Sequence, residues 1–206
     1  MDFVEGLPRL GGKDCILVIV DWFTKFSHFI GLSYPFTAQE VARVFLDNVV
    51  KMHGVPQSMV LNRDKVFTSS FWRELLKSLG TKPHMSTAYH PQINGQLERV
   101  NQCLESYLRC LCFMQPRGWH KWLSIAQWWY NSCHHGSINM SPFEALYEYK
   151  LALLSAVREP PMVAELGAYM QQRQEVVRLL KAELTKARNR MKQMANRRRS
   201  EKAFSE

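Results

Sequence analysis

Cys15-Ile16-Leu17-Val18-Ile19-Val20 is an unbroken run of six apolar residues. A strand with one wet face alternates apolar and polar side chains. A run without alternation reads as a strand buried on both faces, in the middle of a layered fold. Upstream of it, Asp2-Phe3-Val4 is a candidate short strand, ended by Gly6, Pro8 and the Gly11-Gly12 turn signal. Downstream, Phe26, His28 and Ile30 alternate with Lys25, Ser27 and Phe29, which suits a third strand of an antiparallel meander. Thr37-Ala38-Gln39-Glu40 is a capping box, in which hydroxyl and carboxylate each satisfy a backbone N–H left over at a helix start. Ala38, Val41, Ala42, Phe45, Val49 and Met52 then share one helical face, and Gly54 with Pro56 ends it.

Further along, Ser58 to Leu61 is a short strand. A serine-capped helix from about Ser70 to Leu79 is closed by Gly80, and Lys82 to Ser86 forms a last short strand. Asn94 is a candidate cap for a helix whose apolar face is Leu97, Val100, Leu104, Tyr107, Leu108 and Leu111. Trp119, Trp122, Leu123, Ala126, Trp129, Tyr130 and Cys133 mark another amphipathic helix. Strands first, then strands and helices in alternation, predict an α/β layer fold with a mixed sheet flanked by helices. Pro160-Pro161 reads as a boundary. Beyond it Met170, Val177, Leu184 and Met191 recur every seven residues, with Leu180, Ala187 and Met194 between them. That predicts a long basic C-terminal helix with a heptad-like seam, either self-pairing or packed on the core.

Composition narrows the class. With 206 residues, 46% of them hydrophobic, the chain can bury one sizeable core, which excludes a disordered chain and a disulfide miniprotein. The longest uncharged run, Trp122 to Phe143, is broken by Gln127, Asn131, Ser132, His134, His135, Gly136 and Asn139, so no membrane span is expected. The N-terminus lacks the basic flank and apolar stretch of a signal peptide. Five cysteines without a C-x-x-C read as reduced thiols, and the expected setting is intracellular, nuclear or cytoplasmic. The formal charge is +9, and residues 164–206 carry 11 Lys/Arg against 5 Asp/Glu. That excess suits a polyanion partner, or a helix kept soluble by its charges.

Glu98 stands off the apolar stripe of its helix, on the same side as Asn101, Gln102 and Glu105. A carboxylate there, beside a glycine-containing loop, could hold a metal at the sheet edge. It could also be a solvated first-turn glutamate favoured by the helix dipole. The surrounding residues, Tyr89-His90-Pro91-Gln92-Ile93-Asn94-Gly95-Gln96-Leu97-Glu98-Arg99-Val100-Asn101, read Y-x-P-Q-x-x-G-x-x-E-x-x-N. This resembles the active-site loop and helix of retroviral-type integrases, above all those of gypsy-type LTR retrotransposons. Asp2-Phe3-Val4-Glu5-Gly6-Leu7-Pro8, His53-Gly54-Val55-Pro56, Arg63-Asp64 with Phe67-Thr68-Ser69, Phe71-Trp72 and Ser141-Pro142-Phe143-Glu144-Ala145 fit the same family, in the same order.

The resemblance implies a ribonuclease H-like core at residues 1–158, with its first strand cut short, and a basic helical linker at 159–206. It also implies DNA integration by metal-dependent polynucleotidyl transfer. In such enzymes three acids hold two Mg²⁺ (or Mn²⁺) ions that activate a water, then a DNA 3′-hydroxyl, for attack on phosphodiesters. By position the first acid is Asp2 and the third Glu98. The second falls where the family reads Ser-Asp-Arg-Asp and this chain reads Leu61-Asn62-Arg63-Asp64, so it is Asn62. The 35 residues between Asn62 and Glu98 match the family separation, whereas Asp64 would leave 33. Asp64 stays open as a substitute ligand. An uncharged amide among the ligands implies weak metal binding and a loss of about 4 kcal/mol, on the order of a thousandfold in rate.

By the same resemblance His90, Gln92, Asn94 and Gly95 form a mobile loop that meets the element's DNA end. Lys65, Lys82, Arg99 and the cluster ending in Arg197, Arg198 and Arg199 could neutralise phosphates. The last three also suit a solvated tail or a nuclear-import signal. The tryptophans of Trp119 to Trp129 read as core or dimer-interface packing. Expected partners are element-end and target DNA and further copies of the chain through the core helices, with no membrane and no small-molecule substrate. The family's upstream zinc module and C-terminal barrel are not found in this sequence, as in a piece of a longer polyprotein. Three functions stay open: an active integrase, a decayed copy that binds DNA without chemistry, and a host-recruited interaction module.

Overall fold

The computed structural model describes residues 1–86, 91–114 and 118–151, and scattered positions between 171 and 193. The side chains of 91–94, 113 and 114 lie outside that description. Strand β2 (Cys15–Val20) is buried over its first five residues. It pairs antiparallel with β1 (Asp2–Val4), Asp2 opposite Val18, and with β3 (Ser27–Leu32), Cys15 opposite Leu32. Its alternate side chains feed two different cores. Cys15, Leu17 and Ile19 join Val41, Phe45, Phe67, Trp72 and Leu76, while Ile16 and Val18 join Val100, Leu104, Leu108, Trp119, Leu123 and Ala126. Neither face meets water, so no polar residue is tolerated in the run. Each buried aliphatic side chain contributes roughly 1.5–3 kcal/mol.

Helix α1 (Ala38–Phe45) starts on the capping box expected at Thr37, with both reciprocal hydrogen bonds made. It continues through a π turn (Leu46–Val50) into α2 (Lys51–His53) and stops at Gly54, whose φ is 78°. The π turn corrects one expectation. Its extra residue rotates the next turn of helix by about 100°, so Met52, expected on the buried face, is exposed. Strands β4 (Ser58–Leu61) and β5 (Lys82–Met85) pair in parallel, crossed over by α3 (Lys65–Thr68) and α4 (Ser70–Leu79). The three- and two-stranded sheets meet at Met1, whose amino group donates to the Val60 carbonyl (2.7 Å) and whose carbonyl accepts from Asn62 N–H (3.4 Å). That contact sets β1 beside β4 and brings their ends together.

Helix α5 (Pro91–Met114) begins at Pro91 rather than after a cap at Asn94. Proline suits a first turn because the N–H it lacks would have no helical partner. Gln92, Asn94 and Gly95 therefore belong to a helix rather than to the loop expected from sequence. Helix α6 (Trp119–Ser132) covers the outer edge of β3 with side-chain hydrogen bonds. Asn131 accepts from the Ser27 N–H and donates to its carbonyl, both at 2.9 Å, and Gln127 accepts from the Phe29 N–H at 2.9 Å. These bonds occupy the first part of the strand's outer edge, where another strand would otherwise pair. Helix α7 (Pro142–Tyr147) is capped by Ser141. The long helix expected after residue 158 lies mostly outside the described residues, and the scattered positions define no element. No helix among the described residues is long and apolar enough to cross a membrane.

Candidate functional site

Asp2 lies at the centre of the site. Its Oδ1 accepts from the Phe3 N–H at 2.9 Å and from Asn62 Nδ2 at 2.6 Å, and its Oδ2 accepts from Asn101 Nδ2 at 3.0 Å. Three separate elements supply these groups. Asp2 is on β1, Asn62 follows the last residue of β4, and Asn101 is on α5. The Met1 contact between β1 and β4 is what brings Asp2 within reach of Asn62.

Both ends of the Asn62 amide are engaged. Its nitrogen donates to Asp2, and its Oδ1 accepts from the Asp64 N–H at 3.2 Å. Turning the amide over would set two oxygens against each other, so the nitrogen faces the carboxylate. Asp64 caps α3, its Oδ1 accepting from the Val66 N–H at 2.8 Å, and it is not among the residues lining the cleft. The Oδ1 of Asn101 is buried without a hydrogen-bond partner.

Around this cluster opens a cleft of about 540 Å³, lined by Asp2, Asn62, Ser86, Leu97, Glu98, Asn101, Gln102 and Glu105. Glu98, Asn101, Gln102 and Glu105 recur at three- and four-residue steps, so one face of α5 forms the wall. Asp2, Glu98 and Glu105 give it three carboxylates. Glu105 also lies 3.5 Å from Arg109 in an exposed pair of small energetic value. Among the described residues no group of three or more His, Cys, Asp or Glu side chains is placed to hold a metal ion.

The structure thus brings Asp2, Asn62 and Glu98 to one cleft. Lys65, at the start of α3, and Lys82, at the start of β5, are exposed, as are Gly95 and Arg99 on α5. His90, Arg197, Arg198 and Arg199 and the side chains of Gln92 and Asn94 lie outside the described residues. Asn101 and Glu105 are not among the site residues expected from sequence. The signal that could have found them is their spacing of three and seven residues from Glu98. Trp119 is a core residue, buried and donating its indole N–H to the Pro8 carbonyl at 2.7 Å.

No family model matches the chain. Over 153 residues, 74% of its length, it is 35% identical to the transposon Tf2-3 and Tf2-4 polyproteins of Schizosaccharomyces pombe (strain 972 / ATCC 24843). It spans only 12% of those relatives. Among solved structures it is similar to the simian T-cell lymphotropic virus intasome in complex with PP2A regulatory subunit B56 gamma. There the TM-score is 0.62 at 18% identity, over 79% of this chain and 57% of that one. It is also similar to the HTLV-2 integrase catalytic core domain in complex with magnesium, in its dimeric form. That TM-score is 0.56 at 18% identity, over 70% of this chain and 91% of that one. The fold is therefore the mixed α/β, ribonuclease H-like fold of retroviral integrase cores. In sequence the chain is thus similar to a segment of retrotransposon polyproteins, and in fold to retroviral integrase cores.

Proposed function

We propose that the chain is a DNA-binding integrase core built for polynucleotidyl transfer, in which Asn62 has suppressed most of the chemistry. The observation that carries this reading is the 2.6 Å bond from Asn62 Nδ2 to Asp2 Oδ1. A pair of Mg²⁺ ions needs clustered carboxylate oxygens. At this position the chain presents an N–H to Asp2 instead, and the amide oxygen is committed to the Asp64 backbone. The donor set does not fit two divalent cations. Of the three expected ligand positions, Asp2 and Glu98 keep their carboxylates, able to hold one such ion weakly. Asp64, pinned as a helix cap, is a poor substitute, because moving it would undo the start of α3.

DNA binding is the activity that survives in this reading. Its support is the net charge of +9, the basic excess beyond residue 163, and the exposed Lys65, Lys82 and Arg99. Residues 1–158 would act as the core and 159–206 as a basic helical linker. Copies would associate through the core helices, with element-end and target DNA as partners in the nucleus or cytoplasm. The test is a nicking and strand-transfer assay in Mg²⁺ and in Mn²⁺, run on the parent beside Asn62→Asp. The expected result is a revertant on the order of a thousandfold faster than the parent, both binding DNA with steep salt dependence. Equal rates would show that Asn62 is not a ligand position.

A further inference from the structure

The turn between β2 and β3 carries two large aromatic rings in water. Phe23 is 82% exposed and Trp22 44% exposed. The turn that holds them out is closely tied. Asp21 Oδ2 accepts from the Thr24 N–H at 2.8 Å and from its hydroxyl at 2.6 Å. The Asp21 N–H donates to the Phe26 carbonyl at 2.8 Å, and the Lys25 N–H donates to the Asp21 carbonyl at 3.0 Å. Lys25 is held at φ 65°, a left-handed conformation that costs an L-residue roughly 1 kcal/mol and that this network maintains.

The turn is also fastened to the wall of the cleft. Lys25 Nζ donates to Gln96 Oε1 at 3.1 Å, two residues before Glu98, and lies 5.0 Å from the centre of the Trp22 ring. Positive charge gathers on the same side. The His135 imidazole is held below its ordinary value first by burial, with the Lys25 and Arg99 charges pushing the same way. Along the sheet, Val18 lies opposite Asp2, and the turn begins at Asp21, three residues further. At 3.3–3.4 Å per strand residue that is roughly 10 Å, about three steps of a DNA strand at 3.4 Å each.

Exposed rings, flanking cations and a spacing of a few nucleotides from the cleft together match the stacking platforms of proteins that grip unpaired strands. We propose that Trp22 and Phe23 stack on an unpaired base of the DNA strand that enters the cleft, with Lys25 and Arg99 against the neighbouring phosphates. The platform rests on the proposed DNA binding and adds to it a preference for unpaired or frayed ends.

The experiment uses the full chain. Anisotropy titrations compare a single-stranded oligonucleotide, a forked duplex and a blunt duplex of the same sequence. They are run on the parent, on Trp22→Ala/Phe23→Ala and on Trp22→Tyr/Phe23→Tyr. The alanine pair should weaken the single-stranded and forked ligands about tenfold, leave the blunt duplex within about twofold, and keep the parent's melting temperature. The tyrosine pair should restore binding, and 2-aminopurine three nucleotides from the end should be quenched only where a ring is present. Equal loss on all three ligands, or no loss on any, overturns the platform while leaving DNA binding intact. A change in self-association by sedimentation in place of a change in single-strand affinity overturns it in favour of a contact between copies. Absence of binding to every ligand at low salt overturns the DNA-binding reading itself, and the platform with it.

Discussion

Replacing Asn62 by Asp converts a 2.6 Å hydrogen bond into a contact between two carboxylates. The bond lost has a charged acceptor and contributes about 1.5–3 kcal/mol. Two unit charges about 4 Å apart repel by about 4 kcal/mol at an effective dielectric constant near 20. Side-chain movement and partial protonation relieve some of this, leaving a net destabilisation of about 3–5 kcal/mol. For a chain of this length each kcal/mol moves the melting temperature by about 2–4 °C, so the metal-free revertant should melt roughly 10 °C below the parent. A divalent cation between the carboxylates removes the repulsion. At a hundred times its Kd it returns about 2.7 kcal/mol, most of the loss. The assay is thermal melting of both chains in EDTA, Mg²⁺, Mn²⁺ and Ca²⁺. Metal should raise the revertant's melting temperature steeply and the parent's little. A revertant as stable as the parent in EDTA, or a metal response equal in both, would overturn the assignment of Asn62 to a ligand position.

Gly11→Ala should destabilise by about 2–4 kcal/mol in urea titrations, because a Cβ there would sit 2.3 Å from His120 Cε1 on a backbone with φ of 59°. Gly12→Ala, with φ of 76° and nothing within 4 Å, should lose only about 1 kcal/mol, and equal losses would exclude the clash as the cause. The His28 imidazole is held down to about 4, first by burial and second by His53, whose Nε2 lies 2.9 Å from its own. A depressed histidine stabilises while neutral, so this contribution is complete above about pH 6.5 and is lost as the pH falls toward 4. It amounts to roughly 3 kcal/mol. The denaturation midpoint of His28→Gln should vary less over that window than the parent's, and parallel curves would contradict the assignment. In the Asn62→Asp background, Asn101→Ala frees one oxygen of Asp2, and strand transfer should fall at least tenfold with DNA affinity unchanged. A matching fall in affinity would make Asn101 a DNA contact instead.

The apolar run Cys15–Val20 identifies the central strand without help from anything distant, because burial on two faces removes every polar residue from the pattern. The capping box at Thr37 and the Gly80 stop, in the left-handed conformation at φ 70°, are equally legible, since each is a contact between residues a few positions apart. The helix after Thr37 is less legible. A π turn is one extra residue in a hydrogen-bond ladder, and nothing in the alternation of residue types marks it. The start of α5 is obscured in a similar way, because the Asn94 side chain suits a cap while the helix begins at Pro91.

The element order, the candidate set Asp2, Asn62 and Glu98, and the amide standing where the resemblance implies an acid are all read from residue order. Each is local in the chain or carried by a motif. The role of that amide is not, because it depends on packing. Asp2 and Asn62 are separated by 60 positions, and Asp2 and Asn101 by 99. They meet because β1 lies between β2 and β4, a juxtaposition set by burying the two faces of the sheet. The direction of the Asn62 amide, the commitment of Asp64 to a helix cap and the fastening of the Trp22–Phe23 turn to Gln96 follow from that packing. Hydrogen-bond partners are chosen by proximity after folding, and proximity across a sheet leaves no periodicity in the sequence.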